Sequence, residues 1–218
     1  MAARYIPALS YAWLTRWYDP VVRWTTRDRE FRASLVQQAD LRPGQRVLDA
    51  GCGSGTLALA MKRAQPGVSV TGLDGDASIL ELARQKTASA GAEIAWVEGR
   101  IDALPFPDAA FDRVVSSLVF HHLDRPTKLA ALREIRRVLA PGGEFHLADW
   151  GRAANFLMRA AFLPVQLLDG FVTTRDNIRG DLPRLMREAG FDTVTDTGHF
   201  NTPCGTLSLF RASNFQDH

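Results

Sequence analysis

Apolar and polar positions follow two different periods along the chain. From Arg46 onward, short apolar runs of strand length recur at RVLDA (46–50), VSVTGLD (68–74), EIAWVEG (93–99), FDRVVSS (111–117) and EFHLADW (144–150). Between them the apolar positions take a helical spacing. These helices are TLALAMKRA (56–64), SILELARQKTASAG (78–91), stopped by Gly91, and PTKLAALREIRRVLAPGG (126–143), closed by Pro-Gly-Gly. A strand–helix alternation of this kind predicts a parallel sheet covered by helices on both faces. In such sheets ligands sit beyond the carboxyl ends of the strands, where the strand order reverses.

Two regions depart from the rhythm. Residues 151–181 are less regular and rich in Phe and Leu. A last helix over 182–189 follows, ending at Gly190, then two closing strands at 191–199 and 205–212. That makes seven strands, mostly parallel, with a C-terminal antiparallel hairpin. The first 46 residues hold Tyr5, Tyr11, Trp13, Trp17, Tyr18 and Trp24, which include every Tyr of the chain. Leu9, Trp13, Trp17 and Tyr18 suit one helix face, and Asp19-Pro20 breaks that helix. A second helix is expected over 28–39 with Phe31, Leu35 and Val36 inward, before the turn Arg42-Pro43-Gly44. The expected organisation is an N-terminal helical lid (1–45) and a single α/β domain (46–218) carrying a lid insertion at 151–181.

Composition narrows the function classes. The proportions of hydrophobic residues (46%) and charged residues (23%) are those of a globular protein and exclude a disordered chain. A net charge of +2 gives no sign of a nucleic-acid binder. Cys52 and Cys204 are far apart and form no metal-binding pair, so no metal site is expected. The start of the chain lacks the apolar core of a signal peptide, and Phe156–Leu168 is interrupted by Arg159 and Pro164 and too short for a bilayer span. A cytoplasmic location is expected. The segment 1–46 combines aromatics with eight Arg against four acidic residues, a composition suited to transient contact with an anionic membrane surface.

The chemistry-bearing pattern begins at the first strand. Asp49-Ala50-Gly51-Cys52-Gly53-Ser54-Gly55 joins strand one to helix one. Glycines there let backbone approach a ligand, and the helix N-terminus offers unpaired N–H groups. A tight turn would also use such a loop. The second feature is Asp74, at the end of strand two, placed to accept hydrogen bonds from a ribose diol; a helix-capping role is its plainer reading, one that Asp76 can share. Together they indicate a nucleoside cofactor, either a nicotinamide dinucleotide or S-adenosylmethionine (SAM). The spacing is GxGxG rather than the dinucleotide GxGxxG. No Tyr-x-x-x-Lys pair is present either.

VLDAGCGSGTLAL resembles motif I of class I SAM-dependent methyltransferases. TGLDGDASILELAR, ALPFPDAAFDRVVSSLVFHHL and LREIRRVLAPGGEFHLAD resemble their later motifs, in order and at family spacing, over about residues 30–150. The style is that of small-molecule enzymes of the ubiquinone/menaquinone-biosynthesis group, and Trp17-Tyr18-Asp19 and RDREFR (27–32) resemble that group's lead-in. The resemblance implies a Rossmann-like fold with SAM as cofactor and S-adenosylhomocysteine as product. It implies that Gly51, Gly53 and Gly55 wrap the methionine part, with Cys52 in the same loop and Asp49 supporting it. Asp74 would bind the ribose hydroxyls and Gly75 would lie along the adenosine. Ile101 and Asp102 would flank the adenine, and Ser117 and Leu118 the methionyl chain. The chain departs from the family at Gly99-Arg100-Ile101-Asp102, where many members carry Gly-Asp-Ala. Arg100 cannot accept a hydrogen bond, so either Asp102 or backbone must read the adenine amino group.

Methyl transfer suits a dry site that holds nucleophile and methyl in line. His121, after strand four, and Asp149, at the end of strand five, are candidates for proton handling. Packing and capping are their plainer roles. His122, Trp150 and Tyr18 are expected at the acceptor pocket, and His199 at the surface. The two lid segments would cover the pocket with Trp, Tyr, Phe, Leu and Met, or else merely cap the core. The first option suggests a small apolar or aromatic acceptor. A protein that binds SAM without catalysis, acting as a regulator or partner subunit, is the alternative. The oligomeric state is not legible.

Overall fold

A computed structural model describes residues 27–214. The N-terminal aromatic helix, including Tyr18, and the Asp19-Pro20 break lie outside the described residues. Seven strands form one sheet in the order β3-β2-β1-β4-β5-β7-β6. They are β1 (Arg46–Ala50), β2 (Ser69–Asp74), β3 (Ala95–Glu98), β4 (Phe111–Ser117), β5 (Leu139–Trp150), β6 (Thr193–Thr202) and β7 (Gly205–Ser213). The first five pair in parallel, and β7 runs antiparallel to both β5 and β6. The order reverses between β1 and β4, so the loops after these two strands face each other across the switch point.

The helices are α1 (Asp28–Gln38), α2 (Thr56–Ala64), α3 (Ala77–Ser89), α4 (Arg125–Val138), α5 (Phe156–Ala161), α6 (Leu163–Asp169), α7 (Phe171–Arg179) and α8 (Leu182–Glu188). Local chemistry sets their starts. Asp76 accepts the Ser78 N–H at 2.8 Å to cap α3, and Asp124 accepts the Thr127 N–H at 3.0 Å to cap α4. Two apolar cores lie on the two sides of the sheet. One joins α4 and α8 to the sheet through Leu132, Ile135, Phe145, Leu185 and Phe210. The other joins α1 and α2 through Phe31, Leu35, Leu57 and Met61. Phe31 and Leu35 are fully buried, each worth about 2–3 kcal/mol of transfer free energy. Val36, expected inward with them, is only partly buried.

One expected boundary moves. The helix expected to run to Gly143 ends at Val138. Pro141 pushes the residue before it out of helical conformation. The chain instead enters β5 at Leu139, and pairing jumps from Phe111–Leu139 to Arg113–Glu144. Ala140–Gly143 therefore bulges opposite Asp112, with Gly142 in the left-handed region at φ 72°. Residues 151–181, expected to be less regular, hold three short helices, α5, α6 and α7.

Candidate functional site

The loop after β1 is held by backbone and by one carboxylate. The Gly51 and Cys52 N–H groups donate to the Leu73 carbonyl at 2.8 and 2.9 Å. The Gly53 N–H donates to Asp74 Oδ2 at 2.8 Å, and the Asp76 N–H donates to Asp74 Oδ1 at 3.1 Å. Asp74 therefore braces the loop while keeping further lone pairs, and burial above all raises its pKa. Gly75 follows it at the start of the turn into α3.

The glycines of the loop differ in purpose. At Gly51 (φ 77°) an added Cβ would lie 2.4 Å from Val119, which arrives from the loop after β4. At Gly55 (φ 73°) it would lie 2.4 Å from Trp96. Gly53 (φ 51°) faces open space, with nothing within 4 Å of an added Cβ. Cys52 is a buried free thiol, and burial pushes its pKa upward.

Asp49 stands at the foot of this loop, fully buried, and neither carboxylate oxygen has a hydrogen-bond partner among the described residues. Burial raises its pKa to about 7, opposed by the charge of Arg32 and by the Ala58 N–H at the start of α2, which points at the carboxylate beyond good hydrogen-bond geometry. Arg32 belongs to α1. Its guanidinium meets Asp28 at 2.5 Å and donates to Ser117 Oγ at 3.1 Å. Leu118, next to Ser117, takes a left-handed φ of 58°, unusual for a branched residue, and its N–H donates to the Ala148 carbonyl at 2.9 Å. That bend directs Val119 onto Gly51.

On the other side of the switch point sits a buried dyad. His121 Nδ1 and Asp149 Oδ1 lie 2.8 Å apart. Asp149 Oδ2 accepts the N–H groups of Val119 and Phe120 at 3.0 and 2.7 Å. Its Oδ1 also accepts the Trp150 N–H at 2.7 Å and Asn177 Nδ2 at 3.1 Å. Burial opposes ionisation of Asp149, yet the His121 charge and these donors hold its pKa below the usual carboxylate value. Asp169, from the end of α6, reaches His121 Nε2 at 3.6 Å and His122 Nδ1 at 3.5 Å. Desolvation first, then the His121 charge, lowers the His122 pKa to about 3, so His122 is neutral at physiological pH. Trp150 packs against Phe162, centroids 5.3 Å apart, and edge-on to His121 at 6.3 Å.

A glycine loop with an open central glycine, an acidic residue closing β2, and a polar dyad after β4 and β5 form one constellation at one edge of the sheet. A profile described as a methyltransferase domain matches residues 47–143. An uncharacterized methyltransferase of Synechocystis sp. is 31% identical over 170 residues, 77% of this chain and 76% of that protein. The chain belongs to the SAM-dependent methyltransferases. A demethylmenaquinone methyltransferase of Thermus thermophilus is 40% identical over 123 residues, and the match spans 56% of this chain and 55% of that protein's length. Among solved structures, the SAM-dependent methyltransferase SibL in its apo form superposes with a TM-score of 0.67 at 27% identity, covering 84% of this chain and 54% of that one. SAM is accordingly the cofactor of this chain.

Ile101 is buried, and Asp102 is engaged by the exposed Arg100 at 2.6 Å, so the residue that departs from the family pattern forms a surface ion pair within the loop. The expectation that the insertion lines the pocket with its Phe and Leu is overturned in large part. Phe162 turns inward, whereas Phe156, Leu157, Leu167, Leu168, Phe171 and Val172 are exposed. The inward groups are Gln166, Thr174, Asp176 and Asn177. Four residues escaped the sequence reading: Arg32, Trp96, Asp169 and Asn177. Each reaches the site through a partner distant in the chain, Arg32 through Ser117 in addition to its i−4 pair with Asp28.

Proposed function

We propose that this chain transfers a methyl group from SAM to a small apolar or aromatic acceptor of quinone type, with His121 receiving the acceptor's proton. The reading is carried by the buried carboxylate of Asp49 at the foot of the open Gly53 turn, which no side chain hydrogen-bonds and which only the Ala58 N–H and the charge of Arg32 offset. A buried carboxylate without a side-chain donor fits a ligand that brings positive charge, and the open glycine leaves room for it. Gly51, Cys52, Gly53 and Gly55 would hold the methionyl end, with Ser117 and Leu118 beside it. Asp74 and Gly75 would hold the ribose, and Ile101 and Asp102 would flank the adenine. When bound, SAM supplies a methyl group on a positively charged sulfur.

The chain's own residues then have three tasks. With His121 neutral, Asp149 accepts from its Nδ1, which fixes the tautomer and leaves the Nε2 lone pair facing Asp169, whose carboxyl lies 3.6 Å away with its pKa raised by burial. That nitrogen takes the proton of the nucleophile, and Asp149 stabilises the resulting imidazolium. Trp150 and Phe162 wall the pocket and keep water from the reacting atoms. The name of the Thermus thermophilus relative supports an acceptor of quinone type. The test is turnover of methyl-labelled SAM with a panel of phenols, hydroquinones and naphthoquinols. His121→Ala should lower kcat by about 10²–10⁴-fold while leaving SAM affinity within twofold. SAM binding with none of these acceptors methylated would favour the non-catalytic alternative.

A second reading rests on His121, His122 and Asp169, whose ligand atoms lie within 4.8 Å of one another. A divalent cation there would polarise an acceptor oxygen in place of proton removal by His121. Dialysis against a chelator separates the two. Loss of kcat restored by added metal supports the cation, and unchanged kcat supports the dyad.

A further inference from the structure

The insertion is built inside out. Its inner face carries polar groups: Gln166, Thr174, Asp176 and Asn177 are all buried. Gln166 accepts from Arg159 and Thr174 donates to the Gly170 carbonyl within the insertion, whereas Asp176 and Asn177 are met from the body of the protein. Lys128 Nζ, itself fully buried, donates to the Thr173 carbonyl at 2.5 Å and pairs with Asp176 at 3.4 Å. Asn177 Nδ2 donates to Asp149 Oδ1 and to the Trp150 carbonyl. The outer face is apolar. Of the eight large apolar side chains exposed among the described residues, seven fall between Phe156 and Val172, with Phe156 and Leu168 at 88% and 87% exposure. An amphipathic helix on a water-facing surface has the opposite polarity.

The charges around that face are of one sign. Arg152, Arg175 and Arg179 are exposed, whereas Asp176 is buried and Asp169 and Asp181 are partly buried. On α7, Phe171, Arg175 and Arg179 recur every fourth residue and share one face, with Val172 beside them. An apolar face with arginines on it is what a helix needs to lie in the headgroup region of an anionic bilayer. No helix of the described residues is long and apolar enough to cross a membrane, so the contact is peripheral.

We propose that the outer face of α5, α6 and α7 docks on the surface of an anionic lipid bilayer. A second copy of the chain is a poorer occupant, because Arg175 and Arg179 of two copies would be brought together. The docking stands independently of the methyl-transfer reading. Its use rests on that reading: the inner face of the same insertion touches Asp149 and His121, so an acceptor dissolved in the bilayer would enter from the docked side.

The test is co-sedimentation of the full chain with large unilamellar vesicles of phosphatidylcholine, with and without 30% phosphatidylglycerol. Binding to the anionic vesicles should exceed binding to the neutral ones by at least tenfold and weaken as salt is raised. The double substitution Phe156→Asp and Val172→Asp should reduce binding at least tenfold, and Arg175→Glu should remove the preference for anionic lipid. SAM affinity unchanged by calorimetry establishes that the variants are folded, since these side chains point outward. Absence of vesicle binding by the native chain overturns the proposal. So does equal binding by the double variant, and so does a native dimer in sedimentation equilibrium that the double variant dissociates. Failure to methylate any acceptor would sink the proposed function and leave the vesicle result standing.

Discussion

Asp49→Asn should stabilise the protein without ligand while weakening its hold on SAM. The native carboxyl has its pKa raised from 3.8 to about 7 by burial. A folded-state pKa above the unfolded one means that the folded chain binds more protons between these values. Stability therefore falls as pH rises through this window, and the full cost is present above about pH 7. A shift of about three units corresponds to an upper limit of about 4 kcal/mol. The asparagine amide recovers only part of it, because a buried amide without partners carries a penalty of about 1–3 kcal/mol. A net gain of about 1–3 kcal/mol at pH 8 remains. For a chain of this size that is a rise of about 2–12 °C in Tm, and at pH 4 the sign should reverse, because the native carboxyl is already protonated and only the amide penalty remains. The assay is thermal unfolding followed by circular dichroism at both pH values without SAM, beside calorimetric titration of SAM at pH 8. Affinity should fall at least tenfold. A variant less stable than native at pH 8, or one that binds SAM as the native chain does, would refute the assignment of Asp49 as a charge held ready for a cationic ligand.

Other substitutions separate packing from binding. Gly53→Ala adds a methyl group to open space and should cost only about 1 kcal/mol for its left-handed φ, yet abolish measurable SAM binding; Gly51→Ala meets Val119 at 2.4 Å and should unfold more readily by over 2 kcal/mol, as chemical denaturation would read. Asp74→Ala removes both the proposed ribose acceptor and the brace on the Gly53 N–H, so SAM affinity should fall at least tenfold by calorimetry. Lys128→Met leaves Asp176 facing Arg125 alone and should cost about 3 kcal/mol in urea unfolding, with faster hydrogen exchange confined to α7.

What the sequence revealed follows from the range of the interactions. The bounds of β1, α2 and β4 are legible because apolar period, glycine punctuation and capping all act within a few residues. The GxGxG spacing and Asp74 are legible because chemistry confines them to the ends of adjacent strands. The end of α4 was misjudged because the Pro-Gly-Gly reads as a helix stop, whereas it forms a strand bulge opposite Asp112, a pairing visible only in the sheet. Trp96 resisted for a similar reason. It occupies the space that Gly55 and Gly72 leave open, and nothing near residue 96 records this. The insertion is the most instructive case. Its Phe and Leu content suggested a pocket lining, but composition does not say which face turns inward. Lys128, Asp149 and Trp150 decide that, by offering buried partners to Asp176 and Asn177.

The arrangement of donor and dyad across the switch point is tested most directly by a crystal structure of the chain with S-adenosylhomocysteine. The ribose should lie on Asp74, the methionyl chain along Gly51–Gly55 above Asp49, and the sulfur should turn toward His121 Nε2. A ligand lodged elsewhere, or a sulfur turned away from His121 with Asp49 still unpartnered, would contradict it.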